Sequence, residues 1–298
     1  MHFPIAGVTV NPLFLGLIGF VIGVLGGFFG VGGGFLVGPM MFMLGVPMTF
    51  VVGTGLSHVA GNSVIATRRH WSLGHVDLRL GILMIVGTVP GVELGAQIIE
   101  HLKQAYAVDQ VIGGVYIALL LVIGAFMAWE GSQAVRRESA KPSHAAIANE
   151  PAQGQQILRR MRALRLPPMI RLPTSGIESI SIWAILLVGF VVGTVAGMLG
   201  VGGGFLCMPA LIYLMGIPTH VAIGTDLFQI IFSAGYGTIT HALKGNVDIV
   251  MALVMLTGAA MGAQLGALAT TRFSGPKIRL AFSFLPFVGA FLVLSKLT

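Results

Sequence analysis

The chain of 298 residues is 55% hydrophobic and only 9% charged, far below the roughly one quarter of charged residues in a soluble domain, so a water-soluble core is excluded. Its net charge of +7 does not indicate a nucleic-acid partner, because 8 of the 17 Lys and Arg fall between Arg136 and Arg171, in one polar stretch. The single cysteine, Cys207, leaves no internal disulfide to form, and its apolar neighbours make it a small packing residue.

Crossing hydrocarbon as a helix takes about 17 to 25 apolar residues. In chain order the first half offers apolar pieces at 12–29, 34–46, 49–67, 78–99 and 108–129, of which the second is short. No Lys or Arg precedes the first piece, so it lacks the basic flank of a signal peptide and is read as part of the fold. From Glu130 to Glu178 the chain mixes Arg, Lys, Pro, Ser and Gln without apolar periodicity, apart from a short basic amphipathic helix expected over 158–166. Most of this segment is expected to be mobile, and its charge suits a cytoplasmic loop.

The second half repeats the first. Gly30-Val31-Gly32-Gly33-Gly34-Phe35-Leu36 recurs as Gly200-Val201-Gly202-Gly203-Gly204-Phe205-Leu206, an offset of 170. After a one-residue insertion the offset is 171, pairing Gly45-Val46-Pro47 with Gly216-Ile217-Pro218, Gly53-Thr54 with Gly224-Thr225, and His70, Gly74, Val76 and Asp77 with His241, Gly245, Val247 and Asp248. So many matches at one spacing mark two copies of one unit. The expected organisation is a first membrane repeat at 1–129, a basic linker at 130–178 and a second repeat at 179–298. If every piece crosses, fourteen basic residues fall on the linker side against three opposite, Lys103, Lys244 and Lys296. Five crossings per half invert the second repeat relative to the first. The expected fold is therefore an all-α polytopic membrane protein with about 8 full-length and 2 short helices, broken at the glycine motifs.

Inverted repeats hold substrate near the bilayer centre, between broken helices. Gly32, Gly33 and Gly34, and likewise Gly202, Gly203 and Gly204, stand between an apolar helix and a short one. Each run can form a turn of positive φ with N–H groups at a helix N-terminus, where an anion is welcome; the alternative is close helix packing. Phe follows the third glycine where a nucleotide loop needs Lys, so an ATP-driven pump is not expected. In the third helix Thr54, His58 and Asn62 share one face, matched by Thr225, Gln229 and Ser233. These stripes supply hydroxyl, amide and imidazole donors to an anion, or else interhelical hydrogen bonds. Asp226 and Glu93 are carboxylates in apolar surroundings and candidates for proton coupling. Asp77 and Asp248 read as helix N-caps in polar connections, together with His70 and His241. The histidines lack the clustering of a metal site, no cofactor is expected, and no nucleophile with a base points to an enzyme.

The doubled glycine motif with Pro39 and Pro209, the Gly-Thr pairs, Gly-x-Val-Asp at 74–77 and 245–248, and Leu94-Gly95-Ala96 with Leu265-Gly266-Ala267 resemble the TauE/SafE sulfite and organosulfonate exporters, also called the toluene-sulfonate uptake permeases. The resemblance covers both halves and omits the linker. It implies transport of sulfite, a sulfonate or sulfoacetate across a prokaryotic plasma membrane. The partners it implies are a small anion and the lipid bilayer, with a homodimer as one assembly open to it. A passive anion channel and a proton-coupled importer are the competing expectations.

Overall fold

The computed structural model describes residues 2–3, 5–104, 108–139 and 166–297. The first repeat contains α1 (Pro12–Phe29), α2 (Gly34–Met43), α3 (Met48–Ser72), α4 (Leu78–Gln104) and α5 (Val108–Ser139). The second contains α6 (Ile182–Leu199), α7 (Gly204–Pro209) running into a π-helical turn (Ala210–Leu214), α8 (Thr219–Leu243), α9 (Ile249–Thr270) and α10 (Gly275–Leu297). A two-stranded hairpin precedes each set, β1 (His2–Phe3) with β2 (Val8–Thr9), and β3 (Met169–Leu172) with β4 (Ile177–Ser181).

Local chemistry sets the boundaries. Asn11 caps α1 by accepting from the Leu13 N–H at 3.0 Å, with Pro12 in the first helical position. Gly30 and Gly200 end α1 and α6 with φ of 77° and 71°. Asp248 caps α9 by accepting from Met251 N–H at 3.1 Å, and Asp77 does the same for Leu80 at 3.2 Å. Among the described residues six helices are long and apolar enough to span a membrane: α1, α4, α5, α6, α9 and α10. With 25 residues each, α3 and α8 reach about 37 Å, but polar side chains dilute their hydropathy. The ten residues of α2 cover only about 15 Å. Among the described residues this makes eight long helices and two short ones.

Small residues let the repeats interlock. Along α1 and α9 a Cβ on Gly19 would lie 1.9 Å from the Met255 carbonyl oxygen, one on Gly23 2.6 Å from that of Ala259, and one on Gly27 2.3 Å from that of Ala263. These helices therefore run side by side in the same direction. Gly87, Gly91 and Gly95 meet Leu186, Phe190 and Thr194 in the same way, so α4 and α6 are parallel too. α4 begins where α3 finishes, whereas α9 begins against Thr54, where α3 starts. Hence α4 opposes α9, and α1 opposes its copy α6: the second repeat is inverted. The end where α3 and α5 finish and the β3–β4 hairpin returns is called the linker end here.

α5 continues to Ser139, past the boundary expected at 129, because buried Glu130 and Gly131 pack on α10. β3 and β4 likewise give order to part of the expected mobile linker. The basic helix expected over 158–166 lies, apart from Leu166, outside the described residues.

Candidate transport site

α3 and α8 pack together at the centre, and their polar stripes are wholly buried: Thr54, His58, Asn62, Thr225, Asp226 and Gln229 are each 0% exposed and Ser233 1%. The stripes divide into two kinds of position. Thr54 Oγ1 accepts from the Asp248 N–H at 2.9 Å, and Thr225 Oγ1 accepts from the Asp77 N–H at 2.9 Å. The two aspartates complete this pair of clasps with their second carboxylate oxygen. Asp248 Oδ2 accepts from the Ala6 N–H at 3.2 Å, and Asp77 Oδ2 from the Ser175 hydroxyl at 2.7 Å. Each hairpin thus seals one cap. His70 Nε2 donates to the Gly27 carbonyl at 3.0 Å and His241 Nε2 faces that of Gly197 at 3.4 Å. Both histidines are buried and tie down the ends of α1 and α6 rather than standing in polar connections.

The remaining stripe positions lie near the helix midpoints and hold unpaired atoms. Both ring nitrogens of His58 lack a hydrogen-bond partner among the described residues, as do Asn62 Oδ1, Ser63 Oγ, Gln229 Oε1 and Asp226 Oδ2. The amide orientations follow from their partners: Asn62 Nδ2 donates to the Gly32 carbonyl at 2.9 Å and Gln229 Nε2 to Asp226 Oδ1 at 2.8 Å; the carbonyl has no proton to give, and neither has Asp226 Oδ1 when the carboxyl is ionised or carries its proton on Oδ2. Both amides therefore leave a carbonyl oxygen unpaired. Asp226 stands beside the Cys207 thiol. Ser233 donates weakly to Ile230 O at 3.5 Å.

The glycine turns sit at the same level. Gly32 and Gly33 have φ of 63° and 82°, Gly202 and Gly203 of 70° and 81°. Val59, near the middle of α3, approaches both turns: its Cγ1 would lie 2.8 Å from a Cβ on Gly32 and 2.6 Å from one on Gly202. The turns also meet each other. A Cβ on Gly34 would fall 2.0 Å from the Val201 carbonyl oxygen, and one on Gly204 2.5 Å from Val31 Cα, so this approach admits no side chain. Gly34 and Gly204 themselves lack positive φ.

Glu93 is elsewhere, on the flank between α4 and α8, where Tyr236 donates to it at 2.9 Å, Gln97 at 3.0 Å and Thr240 at 3.4 Å. At the linker end His70, His75 and His220 form a column, with ring centres 5.5 Å and 5.3 Å apart in turn. Burial, and then the neighbouring His220, hold the His75 ring below its ordinary pKa of 6.5. The sequence reading missed this column because only the fold brings His220 to the others. Among the described residues no group of His, Cys, Asp and Glu has the arrangement of a metal site.

Two inverted helical repeats around a buried polar centre define a multi-pass membrane transporter. The family model of the sulfite exporter TauE/SafE matches residues 15–293, and the chain belongs to that family. It is 31% identical over 264 residues to a probable membrane transporter protein of Xylella fastidiosa (strain 9a5c), covering 88% of this chain and 84% of that one. It is also 26% identical over 246 residues to the probable membrane transporter protein YunE of Bacillus subtilis (strain 168), covering 78% of each. No solved structure matches the chain significantly.

Proposed function

We propose that the protein moves a small sulfur oxyanion, sulfite or a sulfonate such as sulfoacetate, across a prokaryotic plasma membrane by alternating access around the middle of α3 and α8. The observation that carries this reading is the set of wholly buried, unpaired polar atoms on His58, Asn62, Ser63, Asp226 and Gln229 beside the paired glycine turns. Unpaired polar atoms in such a place cost free energy unless a ligand or water meets them. Thr54 and Thr225 then bound the site by holding the helix ends, and Ser233 and the N–H groups of the two turns border it.

The linker end gathers Arg68, Arg69, Arg79, Arg136, Arg171, Arg272 and Lys277, together with exposed Trp71, Trp129 and Trp183. The tryptophans suit a membrane–water interface, and the excess of Lys and Arg suits its cytoplasmic side. With the cell interior negative, moving an anion outward gains about 2.3 kcal/mol per charge per 100 mV, which favours export without a coupling ion.

A second reading has a specific observation behind it. An oxyanion offers only acceptors, yet Asn62 Oδ1, Gln229 Oε1 and Asp226 Oδ2 are acceptors as well. A proton on Asp226 turns one of them into a donor, so anion and proton enter together and uptake becomes feasible. Glu93, already holding three donors on the flank, is the weaker candidate for this role. A continuous channel is disfavoured by the contact between the glycine turns.

The test is uptake of labelled sulfite into proteoliposomes under an imposed potential. The parent should transport, and Gly33→Leu combined with Gly203→Leu should not. Transport that follows the potential in the parent and ignores an imposed pH gradient supports uncoupled export. Uptake that follows the pH gradient and loses this dependence in Asp226→Asn supports proton coupling. Unaltered transport by the glycine pair removes the turns from the mechanism.

A further inference from the structure

The repeats fall out of register between Pro39 and Gly45 in the first copy and Pro209 and Gly216 in the second, where five and six residues intervene. The structure places the extra residue in the π-helical turn Ala210–Leu214. There the Met215 N–H reaches back five residues to the Ala210 carbonyl at 3.3 Å, while in the first repeat the Leu44 N–H closes on Met40, four residues back, at 3.2 Å. A π turn is the way a helix absorbs one inserted residue, and such turns collect at functional sites.

This turn carries Tyr213 into a network found at the linker end. Its hydroxyl donates to Glu130 Oε2, and Arg279 Nε lies 3.5 Å from the same oxygen. Arg279 Nη1 donates to Thr219 Oγ1 at 3.1 Å, with the guanidinium carbon 5.9 Å from the centre of the Tyr213 ring. All four residues are buried: Tyr213 is 3% exposed, Arg279 5%, Thr219 6% and Glu130 7%. The network joins α5, the π turn, α8 and α10. In the first repeat Met48 stands where the second has Thr219, and Phe42 and Met43 are the residues nearest in register to Tyr213, so neither place offers a hydroxyl. A buried ion pair is costly to split, since each partner is left as an uncompensated charge.

We infer that Tyr213, Glu130, Arg279 and Thr219 form a latch, built by the insertion, that positions the second broken helix and holds the linker end shut. The two ends of the transporter therefore open at unequal cost, which the near-symmetry of the repeats conceals. The inference rests on the transporter class and not on which anion is carried.

The test needs no substrate. Ser283, 0% exposed, follows Arg279 by about one turn of α10, deeper from the linker end. Val46, 1% exposed, lies at the opposite end. Ser283→Cys and Val46→Cys are made separately in the full chain, and labelling of the purified protein by a charged maleimide is followed at each position, with peptide mapping to separate it from Cys207. Replacing Glu130 and Arg279 together by Gln removes the charges without leaving either one unpaired. This double variant should speed labelling at position 283 by at least about tenfold, in proportion to the population of the open state, and leave position 46 unchanged or slower. Tyr213→Phe, which removes one hydroxyl, should shift labelling in the same sense by less and keeps the test decisive if the double variant does not fold. Equal acceleration at both ends would mean general loosening, and no acceleration in either variant would mean a merely structural tie; each result overturns the latch.

Discussion

The two repeats agree in the clasps and histidine ties that fix their helix ends and differ in the polar side chains at the centre. Thr54 on Asp248 matches Thr225 on Asp77, and His70 at Gly27 matches His241 at Gly197. At the centre, however, His58 faces life opposite a copy that has Gln229, Asn62 is matched by Ser233, and Asp226 by Gly55. Architecture has kept its two-fold pairing, while an asymmetric set of side chains fills the middle. Such a set can meet the two faces of an anion with different groups, which a symmetric pair of stripes would not.

The largest expected effect comes from the contact between the glycine turns. Gly34→Ala forces a methyl group onto the Val201 carbonyl, and overpacking of this kind costs about 1–3 kcal/mol or more. The melting temperature in detergent should fall sharply, and Gly204→Ala should fall with it. A large loss at one position alone would break the equivalence of the turns. Next, Thr54→Val and Thr225→Val each strand a buried N–H, at about 1–3 kcal/mol. The two losses should be similar by chemical denaturation, and a marked inequality would show that the clasps are not two-fold partners.

Central substitutions should behave differently. His58→Gln installs the residue of the second repeat, and it should lower labelled-sulfite transport at least about tenfold, the effect of losing roughly 1.4 kcal/mol of interaction, with little change in melting temperature. Equal loss of stability and transport would demote His58 to a packing residue. The smallest effect concerns His75, whose counterpart is Asn246. Its folded pKa is lowered from 6.5, so the neutral ring is favoured in the fold. Its contribution is intact above 6.5 and is lost as the pH falls below that value toward the lowered one. Melting temperatures between about pH 7.5 and pH 5.5 should therefore decline less in His75→Asn than in the parent.

Helix positions were legible because long apolar runs and Gly or Pro punctuation act locally. The short α2, the repeat and its inversion followed from the same signals plus the distribution of charge. What escaped the sequence reading was pairing over distance. Spacing places Thr54 on a buried face, but nothing near it announces an acceptor role toward Asp248, 194 residues away. Glu130 and Arg279 likewise read as separate loop charges until α5 and α10 bring them together. The hairpins are too short to show a strand period. Apolar neighbours in sequence made Glu93 look central, whereas its helix face turns it to the flank.

The central claim is that the unpaired atoms near the middle of α3 and α8 bind the anion. It is tested most directly by the melting temperature of the purified protein against sulfite concentration, since a ligand that binds only the folded state stabilises it. The parent should gain stability with sulfite, and His58→Ala, folded at its own melting temperature, should lose most of that gain. The same sulfite-dependent rise in His58→Ala as in the parent would contradict the account.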